Sequence, residues 1–251
     1  MSREYGAKLK DARIHDLTYN IILGSEGCIY KCCNELDDFL KHNNIYTNLR
    51  IVTPPIPYGA VESLYGRILL VCEQMVPKVI FNDYGLLLKC KELIVCGKLI
   101  AVLGRVLTRS FCDCPWADML CSGENDLVKK MLSQNSFIDE NIRFVLDDFC
   151  IHEIEMNYAK NLQKKSYPNI CIVTYASNIL LAVQRNCPTA RLLNLELPYC
   201  KNKEMCGEKF FFTNKEISEY THQQSAFFIQ ENCVYMSLEK PNLVEYDMVI
   251  L

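Results

Sequence analysis

The 251-residue chain is half hydrophobic and carries 27 basic against 30 acidic residues, a formal charge of -3. That size supports one large domain with a substantial core, or two small ones. The charge balance offers no basic excess for a nucleic-acid backbone, and no apolar run is long enough to cross a bilayer.

The opening stretch, "MSREYGAKLKDARIHDLTYN", is charged and has no apolar h-region, so the expectation is a cytoplasmic chain without a secretory signal. The first apolar run, "TYNIIL" (18–23), reads as a strand. It is followed by "GSEGCIYKCC" and by a helical pattern over 30–41, with Cys33, Leu36, Phe39 and Leu40 on one face. "NLRIVT" (48–53) is the next predicted strand, and residues 58–74 the next helix. "KVIFN" (78–82), "LIAVL" (99–103), "IRFVL" (142–146) and "ICIVT" (170–174) complete the strand series, with a further helix over 151–163. These runs are nearly continuous in Ile, Val and Leu, as strands buried on both faces are. The first three begin at residues 18, 48 and 78, the spacing of one βα unit.

Repeated βα units predict a parallel sheet. The first strand is not followed by a Gly-rich phosphate turn, which favours a TIM-like (β/α) barrel, complete or missing a unit, over a doubly wound sheet. The barrel is assigned to residues 1–184. From 185 to 251 proline, cysteine and lysine interrupt the periodicity. This Cys-rich segment is expected to pack on the barrel as a cap within one domain, and "SAFFIQENCVYMSLEKPN" reads as a strand or hairpin.

The chain has 15 cysteines, an odd number. In a reducing compartment a disulfide framework explains them poorly, and some must be small core hydrophobes. Cys72, Cys90, Cys96, Cys150 and Cys171 lie in or beside apolar runs and are read that way. Others fall where parallel βα folds place function, after the strands. The first strand is followed by Cys28, Cys32 and Cys33, the fourth by Arg105, Arg109, Cys112 and Cys114, and the sixth by "RNCPTARLLNLELPYCKNKEMCG" with Cys187, Cys200 and Cys206. By spacing alone, structural zinc or core packing accounts for the last three better than a cluster does, although iron–sulfur clusters tolerate ligands from separate loops. Cys112 and Cys114 are a thiol pair or simply a loop. Asn82 and Asp83 are candidates for orienting a substrate, while Asp83 equally suits the N-cap of a helix starting at Tyr84. Arg105, at a strand end, could bind an anionic group or pair with a neighbouring carboxylate. His152 reads as a surface or capping residue.

In sequence order, several of these stretches resemble the collagenase-like peptidase U-32 family, in its UbiV-like iron–sulfur branch. "IILGSEGC" resembles the family's first strand and cysteine loop, and "VIFNDYGLL" its strand ending in Asn-Asp. "AVLGRVLTR" resembles its Gly-Arg strand end, and "VTYASNILLAVQRNCPTAR" with "LPYCKNKEMC" its cysteine segment. The resemblance implies a 4Fe–4S cluster on Cys187, Cys200 and Cys206, with Cys28 as fourth ligand and Cys233 as the alternative. It further implies a role in oxygen-independent hydroxylation or a related modification, beside a second U-32-like subunit. The chain departs from the family in lacking the His-Gly before the first ligand cysteine, the further cysteine shortly after it, and the "N-R-G-x-C" motif. A non-catalytic scaffold holding a cluster or zinc is the alternative. A peptidase is a weaker one, because no nucleophile–base grouping is visible.

Overall fold

A computed structural model of the chain describes residues 2–3, 6–8, 20–42, 48–109, 123, 125–128, 140–158, 169–175, 178–184, 186–192, 194, 207–212, 226–237 and 248–250. Its strands are β1 (Ser2–Arg3), β2 (Gly6–Lys8), β3 (Asn20–Gly24), β4 (Leu49–Val52), β5 (Lys78–Phe81), β6 (Ile100–Leu103), β7 (Glu153–Asn157), β8 (Cys171–Tyr175), β9 (Asn178–Val183), β10 (Phe210–Phe212), β11 (Phe227–Gln230), β12 (Cys233–Ser237) and β13 (Met248–Ile250). Its helices are α1 (Ile29–His42), α2 (Val61–Cys72), α3 (Tyr84–Lys89), α4 (Lys91–Val95), α5 (Glu140–Asp148) and α6 (Pro188–Leu192).

Strands β3 to β8 pair side by side in chain order, all parallel. β13 adds to β8, β1 to β13 and β2 to β3, again in parallel. The two ends of this strand order, β1 and β2, are therefore neighbours in sequence. A second, antiparallel sheet runs β10-β11-β12-β9. The expected C-terminal hairpin is β11–β12, and β9 joins it from before residue 185.

Side-chain parity explains the double burial of the parallel strands. Ile21, Leu23, Ile51, Val79, Phe81 and Ile154 face the helices and pack with Leu36, Phe39, Leu64, Ile68 and Leu86. Ile22, Val52, Ile80 and Val102 face the other way and form a small apolar cluster. On that same face stand Arg50, Lys78, Glu153 and Glu155. Arg50 on β4 donates to Glu153 at 2.9 Å and to Glu155 at 2.7 Å, both on β7. Lys78 on β5 donates to Glu153 at 2.6 Å. On a flat sheet β4 and β7 would lie about 14 Å apart, with their side chains upright. The contacts require the sheet to curl with this face concave.

Two sequence expectations are overturned. "IRFVL" (142–146) lies within helix α5, and the strand falls in the segment read as a helix over 151–163, as β7. In α5 the core-facing residues are Val145 and Leu146, joined by Phe149 just past its end, while Phe144 is exposed, a helical period despite the β-branched composition. In β7 the inward positions are Glu153, Glu155 and Asn157, which are buried by pairing with cations and amides and so mimic a solvent face in sequence. Of the cysteines read as core, Cys90 is buried and Cys72 and Cys171 partly so. Cys96 and Cys150 are exposed, each just past a helix end. Among the described residues, no helix is long and apolar enough to cross a membrane.

Burial pushes the Glu155 carboxyl up to about 7 from its ordinary 4.5, and the attraction of Arg50 only partly offsets this. The folded chain then holds a proton that the unfolded chain has released between those two values. This contribution to stability is full below pH 4.5 and is lost as pH rises towards 7. Glu155→Gln removes it. Urea midpoints taken from pH 5 to 8 should fall with pH more steeply in wild type than in the variant, and parallel slopes would refute the assignment.

Candidate functional site

The carboxyl ends of the parallel strands gather a buried polar cluster. Arg105, just after β6, is 3% exposed. Its guanidinium grips Glu26 of the β3–α1 loop through two donors at 2.5 Å. Its remaining nitrogen donates to the Asn178 carbonyl at 2.7 Å and to the Asn157 amide oxygen at 3.3 Å. The ring of Tyr175 lies 4.0 Å from the guanidinium carbon and that of Tyr235 5.3 Å. Burial opposes the charge of Arg105, but the field and hydrogen bonds of Glu26 outweigh it and raise its pKa, so the cation persists. Tyr175 donates to Glu155 at 2.8 Å, and Tyr235 donates to Glu26 at 3.2 Å. Both phenols are pushed well up, first by burial and next by the carboxylate each one meets. A connected set of buried charges thus runs from Lys78 near the strand starts to Glu26 at the strand ends.

Beside it lies the thiol region. Gly24 ends β3 with φ +93°, and a Cβ there would meet the Val52 carbonyl oxygen at 2.1 Å, so the turn needs glycine. The Ser25 hydroxyl then accepts the N–H groups of Gly27 at 3.1 Å and Cys28 at 3.0 Å, setting Cys28 at the start of α1. Ser25 also donates to the Glu231 side chain, and Lys31 pairs with the same carboxylate. Cys187 precedes α6. Its sulfur accepts the Ala190 N–H at 3.3 Å and donates to the Glu231 carbonyl at 3.6 Å. Cys233 is fully buried against the first loop, where a Cβ on Gly27 would approach its sulfur to 2.6 Å.

Three of the five cysteines suggested as ligands therefore lie in segments that contact residues 231–233: Cys187 bonds to the Glu231 carbonyl, Cys233 belongs to the segment, and the Cys28 loop reaches it through Ser25. Cys28 precedes the 14-residue α1, whose N-terminus favours a thiolate, and the Cys187 sulfur already takes a backbone N–H. Cys233 suits thiolate ligation less, because burial, then the negative charge of Glu26, pushes its thiol well up and retains the proton. Cys200 and Cys206 lie outside the described residues, as do Cys112 and Cys114. Among the described residues, no group of three or more His, Cys, Asp or Glu is arranged to hold a metal ion.

The other sequence candidates are accounted for locally. Asp83 caps α3 by accepting the Leu86 N–H at 2.9 Å, and it also accepts the Ile56 N–H at 3.1 Å. Asn82 is 1% exposed and accepts the Val106 N–H at 3.0 Å, while its amide nitrogen has no partner among the described residues. Arg109 donates to the Leu181 carbonyl from an exposed position. His152 is exposed, immediately before β7, at the opposite end of the strands. Glu26, Glu155, Tyr175, Tyr235 and Glu231 were not singled out from sequence. The available signals were the alternating "EIEMN" for Glu155 and the acidic turn "QEN" between two apolar runs for Glu231. Comparison of the chain with protein-family models, curated proteins and solved structures finds no match.

Two substitutions test these placements. Asp83→Ala should lower unfolding stability by about 1 kcal/mol through loss of the cap, measured by urea titration. Gly27→Ala should cost about 1–3 kcal/mol by overpacking against Cys233 and Asn232. Cys233→Ala in the same chain should recover part of that loss.

Proposed function

We propose that this chain is a U-32-like 4Fe–4S cluster-binding protein built on a TIM-like barrel. In this reading β1 and β2 together close the sheet, β2 pairing with β3 and β1 with β13. The observation that carries the functional reading is that the Cys28 loop, through Ser25, and Cys187, 159 residues on in sequence, both bond to Glu231. Cys28, Cys187, Cys200 and Cys206 are the proposed ligands. A cluster there would supply one-electron transfer. The chain's own residues would bury it, present N–H donors to its sulfurs and keep the charged cluster of Arg105 and Glu26 beside it.

The proposed role is an electron-transfer or cluster-holding subunit in an oxygen-independent hydroxylation or related modification, with the substrate chemistry on a second U-32-like subunit. The ion pairs between the cations and carboxylates of the concave face support this division. Arg105 spends its donors on Glu26, Asn157 and Asn178, which leaves its fork occupied. One observation favours a substrate site on this chain instead: the buried Asn82 amide nitrogen lacks an acceptor among the described residues, and a bound polar group could supply one.

Anaerobic purification with iron and sulfide analysis tests the reading. About four irons and four sulfides per chain are expected, with a visible absorption band. Cys28→Ser should lose most of the iron, while Cys233→Ser should keep it. Bound zinc without iron would support the scaffold alternative. A colourless protein that takes up no iron on anaerobic reconstitution would remove the cluster.

A further inference from the structure

Glu231 is an unexpected residue for its position. It starts the two-residue turn between β11 and β12 with φ +57°, a conformation that favours glycine or asparagine. Its carboxylate is carried inward and the residue is 7% exposed. A turn selected for backbone alone would place glycine here and keep a charge in water. The buried side chain instead meets the Ser25 hydroxyl of the first loop and the Lys31 ammonium of the first turn of α1. A serine hydroxyl has one proton to give and two lone pairs. With its proton on Glu231, both lone pairs of Ser25 face the N–H groups of Gly27 and Cys28. The carbonyl of the same glutamate accepts from the Cys187 sulfur. The next two residues, Asn232 and Cys233, press on Gly27 so closely that a Cβ there would lie 3.0 Å and 2.6 Å from them.

We propose that Glu231 is the positioning residue of the thiol site, clamping the Cys28 loop through Ser25 and Lys31 while its backbone holds Cys187. This rests on Cys28 and Cys187 forming a common site, but it concerns the metal-free chain. The two segments are 159 residues apart in sequence. Glu231 connects them, with its side chain assigned to one and its main chain to the other.

The test uses the full chain, reduced and metal-free in chelator, with iodoacetamide labelling of individual cysteines followed by mass spectrometry. Labelling of a buried thiol reports how often its segment opens. Glu231→Gly relaxes the turn and removes the carboxylate, so it should raise the Cys28 labelling rate about tenfold, as expected for loss of a buried hydrogen bond to a charged group. Labelling of Cys90, buried between α3 and α4, should stay unchanged. Ser25→Ala should reproduce the Cys28 effect, which keeps the test decisive if the first variant folds poorly. Glu231→Gln retains an acceptor for Ser25 and should stay within about twofold of wild type. Unchanged Cys28 labelling in both Glu231→Gly and Ser25→Ala would overturn the proposal. An equal rise at Cys90 would do so too, since it would show general loosening. Failure to bind iron would be seen separately in metal analysis and would leave this result standing.

Discussion

One guanidinium shapes the sheet. Arg50 projects from β4 into the concave face and is held by two carboxylates from β7, with two strands in between. Removing charges from water is costly unless each is matched at close range. The match exists only if the sheet curls, and a curled sheet can direct its strand ends at a common region. The Arg105–Glu26 fork repeats the arrangement one level higher, again joining segments three strand positions apart. Curvature and the gathering of loops are therefore two results of the same electrostatic demand. The apolar side faces the helices and could pack equally well on a flatter sheet.

Much of the fold was legible because buried parallel strands are written as unbroken apolar runs. Strands β3, β4, β5, β6 and β8 fall within two residues of their predicted positions, and α1 and α2 follow from their spacing. The misreading around 140–163 has a physical cause. β7 hides two glutamates and an asparagine inside the protein, and a reading that equates charge with solvent assigns them to a helix face. The cations that neutralise them come from β4 and β5, roughly a hundred residues earlier, so nothing local to the strand reveals its burial. Helix α5 errs in the other direction, since its Val, Ile and Phe suggest a strand until their period is counted.

The site was legible only in part. The cysteines after the first and sixth predicted strands were suspected of sharing a location because parallel βα folds bring strand ends together, and in the fold the Cys28 loop and Cys187 both bond to Glu231. What sequence could not supply was the intermediary. Glu231 sits between Phe228 and Tyr235 in a stretch that looks like an ordinary hairpin, and its partners lie some two hundred residues upstream. Asp83 shows the converse. Its candidate binding role and its capping role looked equally good in sequence, and the structure fills both carboxylate oxygens with backbone N–H groups. Arg105, which in sequence could bind an anion or pair with a carboxylate, is paired in the fold, with Glu26.

The strand order carries a consequence for how the chain reaches this state. Ser2 pairs with Met248, and Gly6 pairs with Asn20. The first segment thus has one partner available almost at once and another that is made only after nearly all the intervening chain. During synthesis β2 can dock early on β3, while β1 must wait. Until β13 arrives, the outer edge of β8 remains an unpaired parallel edge, the kind of surface that templates pairing with other chains. Contacts of such long range also slow folding, because the closing entropy is spent before the contact forms. The same parallel pairing that completes the sheet therefore sets the period during which the growing protein is most open to association with the wrong partner.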